Sequence, residues 1–356
     1  MPLTPAQIRS LPTAVLHDHL DGGLRPSTVL ELCAELGIDP PAATAGTVAD
    51  WFFDAADSGS LPRYLATFDR TIALMQRPQD LRRVAREFVE DMAADGACYA
   101  ETRWAPHQHL EGRLRLAEAV DAVQAGLEEG MAIAAEAGRP ILAGQLLCHL
   151  RHLPPTEELV RLAADRRDAG VWGVDLAGPE AGFPASLYAG PFALAHELGV
   201  HVTIHAGEAD GPASIAGALE QGAERIGHGV RLIEDIGADG ARGPVAEEVH
   251  ARQICLEVCP SSNLQTGAAP SITAHPAGRL LAGGFAVAIS SDNRLMSRTC
   301  TSRELELLAD AHRWELPELE RITHAALGNG FAPAEQRERI LEEIVRPAYA
   351  AARDAG

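Results

Sequence analysis

The stretch AVLHDHLDGGLRP, residues 14–26, decides how this chain is read. Ala14, Val15 and Leu16 form a short apolar run, His17 and His19 close it, and Gly22 and Gly23 follow Asp21. An apolar run bounded by a glycine pair reads as a buried strand ending in a turn. Side chains alternate between the faces of a strand, so His17 and His19 share one face. Two imidazoles aimed one way at the end of a buried strand suit a metal ion. A pair of solvated loop histidines is the plain alternative, and only the rest of the chain separates the two.

Seven further β-rich apolar runs follow: ACYAETRW (97–104), ILAGQLLCH (141–149), VWGVDLAG (171–178), VHVTIHAG (200–207), RIGHG (225–229), ICLEVCP (254–260) and FAVAISSD (285–292). Between them lie stretches whose apolar residues recur at three and four, among them Gln79 to Ala94, Leu116 to Ala137, Glu157 to Ala169 and Pro191 to Leu198. That periodicity predicts helices. Eight strands with helical crossovers predict an α/β fold closed as a (β/α)8 TIM barrel, with residues 1–356 forming a single domain. An open doubly wound sheet would need a Gly-rich phosphate turn after its first strand, and DGGLRP is not GxGxxG. Residues 40–74 are long for a βα connection and carry Trp51, Phe52, Phe53, Tyr64 and Phe68. They are expected to form a helical lid inserted after the first strand, over the barrel mouth.

Composition narrows the function. The chain has 356 residues, 46% of them hydrophobic, and a formal charge of −20. So acidic a molecule is a poor partner for nucleic acid or an anionic membrane surface. No apolar run reaches the length of a membrane span. The N-terminal MPLTPAQIRSLPTA has no basic region followed by an apolar one, so no secretory signal is read and a cytoplasmic location is expected. The six cysteines sit in apolar contexts and read as reduced core residues. All 30 basic residues are arginine. Without lysine there is no Schiff-base chemistry, no GxxxxGK[ST] phosphate loop and no carbamylated-lysine bridge between two metals.

Active-site residues of such a barrel belong at the C-terminal ends of its strands. His17 and His19 end the first run, His205 ends VTIH with Glu208 three residues on, His228 ends IGHG, and Asp292 and Asn293 end AISSDN. His17, His19, His205 and Asp292 offer three imidazoles and a carboxylate. Nitrogen and oxygen donors without thiolate fit one Zn²⁺ with a position left for water. Glu208 and His228 remain for acid–base work on an electrophilic carbon.

Six motifs, LHDHLDGGLRP, VDLAGPE, TIHAGE, RIGHGVRL, CPSSNLQTGA and ISSDNRLMS, occur in that order, and the likeness runs from about Leu11 to Tyr349. Together they resemble the adenosine deaminase family. The resemblance implies one zinc ion per chain and hydrolytic deamination of adenosine and 2′-deoxyadenosine to the 6-oxo product plus ammonia. By motif, it assigns the metal to His17, His19, His205 and Asp292. It gives protonation of purine N1 to Glu208 and assistance of the attacking water to His228, with Asp292 sharing in proton handling. The Gly178 N–H would face purine N3, and Asp21 would bind a sugar hydroxyl. Where many members carry a second aspartate toward N7, this chain has Asn293, whose amide donates a hydrogen without first needing a proton.

Asp18, between the two ligand histidines, is expected to face away from the metal in a structural role. His149, Arg151 and His152 are candidates for the pocket or for support behind it, and Glu101 and Arg103 for a structural charge pair. Other 6-aminopurines, among them adenine, methylthioadenosine and aminodeoxyfutalosine, would suit the same chemistry. An inactive nucleoside-binding member and a phosphoester or amide hydrolase are alternatives of other classes. Oligomeric state is not legible.

Overall fold

The structure is a computed structural model and describes residues 3–355. Its strands are β1 (Thr13–His19), β2 (Ala97–Trp104), β3 (Leu142–Leu150), β4 (Val171–Ala177), β5 (His201–Ala206), β6 (Arg225–His228), β7 (Cys255–Val258) and β8 (Val287–Ile289). All pair in parallel, in the order β1 to β8. β8 returns to β1 through a bridge between Asp18 and Asp292. Two backbone hydrogen bonds make that seam: His19 N–H donates to Asp292 O at 2.7 Å, and Asp292 N–H to His17 O at 3.0 Å. The barrel therefore closes through the backbone of its own candidate ligands.

Each predicted run contains a strand, and β8 is the most shortened. It stops at Ile289, with Ser290 N–H giving a last bond to Val258 O, and Asp292 then enters the left-handed region at φ 59°. The expected helices form at Pro78–Ala94, Leu116–Glu136 and Ala189–Leu198. The stretch 157–169 divides into a helix, Glu158–Asp165, and a 3-10 turn, Arg167–Ala169. Apolar strand residues such as Val15, Leu146, Val174, Ile204 and Ile226 are fully buried under this helical ring. No helix among the described residues is long and apolar enough to cross a membrane. Five cysteines are buried, Cys300 is half-buried, and all six are unbridged.

Charge fills the lower barrel. Arg225 lies between Glu101 and Glu257, with contacts of 2.6 Å to each, and Arg103 lies between Glu257 at 2.7 Å and Asp175 at 3.0 Å. All five side chains are inaccessible to solvent. The expected pairing of Glu101 with Arg103 is thus corrected. They lie two apart on one strand, point into the barrel together, and each meets a partner from across it. Buried charges persist only when compensated, and here every carboxylate has an arginine.

Candidate active site

Residues 45–74 fold as three helices, Ala45–Ala56, Leu61–Leu65 and Phe68–Leu74. The last two wall a cavity of about 330 Å³ at the C-terminal mouth of the barrel. Leu61, Tyr64, Phe68 and Ile72 face it from that side, and His19, Asp21, Gly178, His205, Glu208, His228, Asp292 and Asn293 from the strand ends. His17 lies beneath, fully buried.

The imidazoles converge. His19 Nε2 and His205 Nε2 lie 3.2 Å apart, and Asp292 Oδ1 is 3.4 Å from both His17 Nε2 and His19 Nε2. Two overlapping groups result: His17, His19 and His205, and His17, His228 and Asp292. The far nitrogens are engaged. His17 Nδ1 meets Glu257 Oε2 at 2.9 Å, and His205 Nδ1 meets Asp175 Oδ2 at 3.0 Å. A carboxylate holding Nδ1–H leaves the Nε2 lone pair for a cation and fixes the ring. His17 Nε2 is buried with no hydrogen-bond partner, so the donor set fits a metal ion. Burial also drives the His19 pKa down to about 3, which keeps it a neutral donor.

Glu208 stands beside this cluster, with Oε2 3.6 Å from His228 Nε2. Burial, reinforced by the charges of Asp292 and Glu180, pushes its pKa well above the ordinary carboxyl range. Thr266 Oγ donates to Glu208 Oε1 at 3.0 Å. Glu180 holds the loop that carries Glu208. It accepts the backbone N–H groups of Gly207, Glu208, Ala209 and Asp210 at 2.6 to 3.0 Å. His228 sits at φ 60°, where a side chain is strained and surroundings must hold it.

The remaining polar residues are also at the mouth. Asp21 is buried with Oδ1 unpartnered and Oδ2 3.5 Å from His109 Nε2. Gly178, at φ 92°, follows β4 in a conformation that favours glycine. Asn293 Oδ1 packs on Gly22 so closely that a Cβ there would lie 1.9 Å from it. Asp18 faces away as expected, accepting Ser291 Oγ at 2.8 Å and Arg294 Nε at 3.0 Å. The three candidates of segment 146–155 separate. His152 lines the cavity, Arg151 donates to the carbonyl of His205 at 2.6 Å, and His149 lies in a neighbouring recess against Tyr188.

Sequence reasoning missed Asp175, Glu257, Glu180, Thr266 and Asn263. Asp175 and Glu257 left a signal, a lone charge inside the apolar runs VWGVDLAG and ICLEVCP. The others stand in motifs whose partners lie far along the chain.

Fold and donor set together are those of a metal-binding barrel hydrolase. A family model described as adenosine deaminase matches residues 12–347. Adenosine deaminase of Mycolicibacterium vanbaalenii is 47% identical over 355 residues, 98% of this chain and 98% of that protein. Adenosine deaminase 1 of Streptomyces coelicolor is 46% identical over 353 residues, 98% of this chain and 89% of that protein. The crystal structure of Arabidopsis ADAL complexed with IMP superposes with a TM-score of 0.82 at 26% identity, covering 97% of this chain and 98% of that one. The chain belongs to the adenosine deaminase family.

Proposed function

We propose that this protein is a zinc-dependent enzyme that hydrolyses adenosine and 2′-deoxyadenosine to inosine or deoxyinosine and ammonia. One observation carries the reading: Glu208, a buried carboxyl whose pKa is pushed well above the ordinary range, shares a cavity with a metal-competent cluster of three histidines and an aspartate. His17, His19, His205 and Asp292 would hold one Zn²⁺. An ion bound there supplies a Lewis acid that lowers the pKa of water toward neutrality.

The chain's own residues do the rest. Glu208 gives its proton to purine N1, which draws electrons from C6 and opens it to attack. His228, beside Glu208, orients the attacking oxygen. Asp21 accepts a hydrogen bond from a ribose hydroxyl, which would satisfy its unpartnered Oδ1. The Gly178 N–H points to N3. With its oxygen against Gly22, Asn293 keeps its amide hydrogens for N7. The chain would act as one domain in the cytoplasm, with residues 40–74 as the lid over the bound nucleoside. The cavity's volume suits a small, mostly enclosed ligand, and the IMP complex of the Arabidopsis relative supports a purine occupant.

The test is an ultraviolet assay on metal-quantified protein with adenosine, deoxyadenosine, adenine, methylthioadenosine and aminodeoxyfutalosine side by side. The expected result is fast conversion of adenosine to inosine, lost on chelation and restored by Zn²⁺. Preference for another of these compounds would move the substrate, and no turnover despite bound metal would overturn the activity.

A further inference from the structure

His228 has two ring nitrogens, and which of them carries the proton decides whether it takes a proton from the attacking oxygen or donates a hydrogen bond to it. Behind His228 the hydrogen bonds run inward through two residues that the proposed mechanism does not use. Asn263 Nδ2 lies 3.1 Å from His228 Nδ1, and Asn263 Oδ1 lies 3.3 Å from His275 Nε2. His275 Nδ1 in turn lies 3.1 Å from the backbone N–H of Ala277. Asn263 is fully buried and His275 is 2% exposed.

The direction of this chain is set at its inner end. Ala277 N–H is a backbone donor and cannot be an acceptor, so His275 Nδ1 must be the bare nitrogen. The hydrogen of neutral His275 is then on Nε2 and is donated to Asn263 Oδ1. The amide is thereby oriented, and its Nδ2–H is donated to His228 Nδ1. With Nδ1 accepting, the proton of neutral His228 resides on Nε2, the nitrogen that faces Glu208. The opposite arrangement turns the Asn263 amide around, needs a proton on His275 Nδ1, and sets it against the Ala277 N–H across 3.1 Å. Two donors would then face each other, with neither nitrogen able to accept.

We propose that Asn263 and His275 are positioning residues that lock His228 in its Nε2–H tautomer, so that His228 donates a hydrogen bond into the active site and is not the base. This rests on the reading of His228 as an active-site residue. A hydrogen-bond donor fixed beside the reacting oxygen stabilises negative charge developing there without reorganising. The proton removed from the attacking water must then go to a carboxylate of the site.

Long-range proton–nitrogen correlation spectra of the metal-loaded protein, labelled at histidine, report the tautomer directly, with His228→Gln used only to assign the His228 signals. The expected spectrum shows His228 with Nδ1 bare and Nε2 protonated. The reverse overturns the proposal without any variant having to fold, and whatever the substrate proves to be. Asn263→Asp replaces the donor with an acceptor of the same shape. It should move the proton to Nδ1 and lower kcat about 100-fold or more, with KM and bound metal little changed. An Asn263→Asp enzyme that keeps the wild-type tautomer, or one whose tautomer shifts while kcat does not, would refute the assigned role.

Discussion

At the scale of single residues, the site depends on keeping apart two carboxyls that share one cavity. Asp292 lies just past the end of β8, among three histidines. Although burial opposes it, His17, whose Nε2 lies 3.4 Å away, and the surrounding imidazoles hold its pKa well below the ordinary range. Glu208 has no arginine lining the cavity beside it, and burial with the nearby charges of Asp292 and Glu180 pushes its pKa well above the ordinary range. One carboxylate is thus suited to a cation and the other to donating a proton, a division set by environment alone. Glu208→Gln keeps the shape and removes the acid. It is expected to retain full metal by elemental analysis while kcat falls by about 10²- to 10⁴-fold. Near wild-type rates in the metal-loaded variant would show that N1 is protonated by another group.

Among elements, the seam between β8 and β1 matters most. Strands β1 and β8 are tied by few backbone bonds, and Asp18 reinforces them by binding Ser291 and Arg294 just beyond β8. It sits between His17 and His19 in sequence while Ser291 and Arg294 flank Asp292 and Asn293, so one buried carboxylate registers both ligand-bearing segments. Asp18→Ala should weaken metal binding about 10- to 100-fold, the usual cost of losing a residue that orients ligands. Competition with a graded chelator would measure it, and unchanged affinity would reduce Asp18 to a packing role. The strands themselves were legible because each run is short, apolar and bounded by turn residues, and the polar residue closing it marks the barrel mouth. The charge chain was not. Glu101 and Arg103 looked like a pair only because they are neighbours in sequence, whereas Arg225 and Asp175 reach them across the barrel. The links from Glu180 to the loop after β5, and from Asn263 to His228, are likewise contacts that only the closed barrel creates.

For the whole molecule, charge decides what enters. The chain carries a net −20, and away from the metal cluster and the acid Glu208 the cavity is lined by Asp21 and Asp69, with neither arginine nor lysine among its lining residues. Asp69 stands exposed on the helix Phe68–Leu74 at the rim. A neutral nucleoside meets no penalty in this field. The phosphate of a nucleotide, lying away from the metal cluster, would stand near Asp21 and Asp69 with no arginine to pair it, a juxtaposition that costs several kcal/mol. Adenosine should therefore exceed AMP in kcat/KM by at least about 100-fold, since every 1.4 kcal/mol is a factor of ten. The field is partly exposed at the rim, so added salt should narrow the gap by raising turnover of AMP while leaving adenosine nearly unchanged. Asp69→Asn should narrow it in the same direction with adenosine kinetics intact, because the rim aspartate touches none of the reacting groups in the proposed mechanism. Comparable kcat/KM values for adenosine and AMP in low salt would mean that the phosphate leaves the cavity for solvent, and that exclusion by charge plays no part in the choice of substrate.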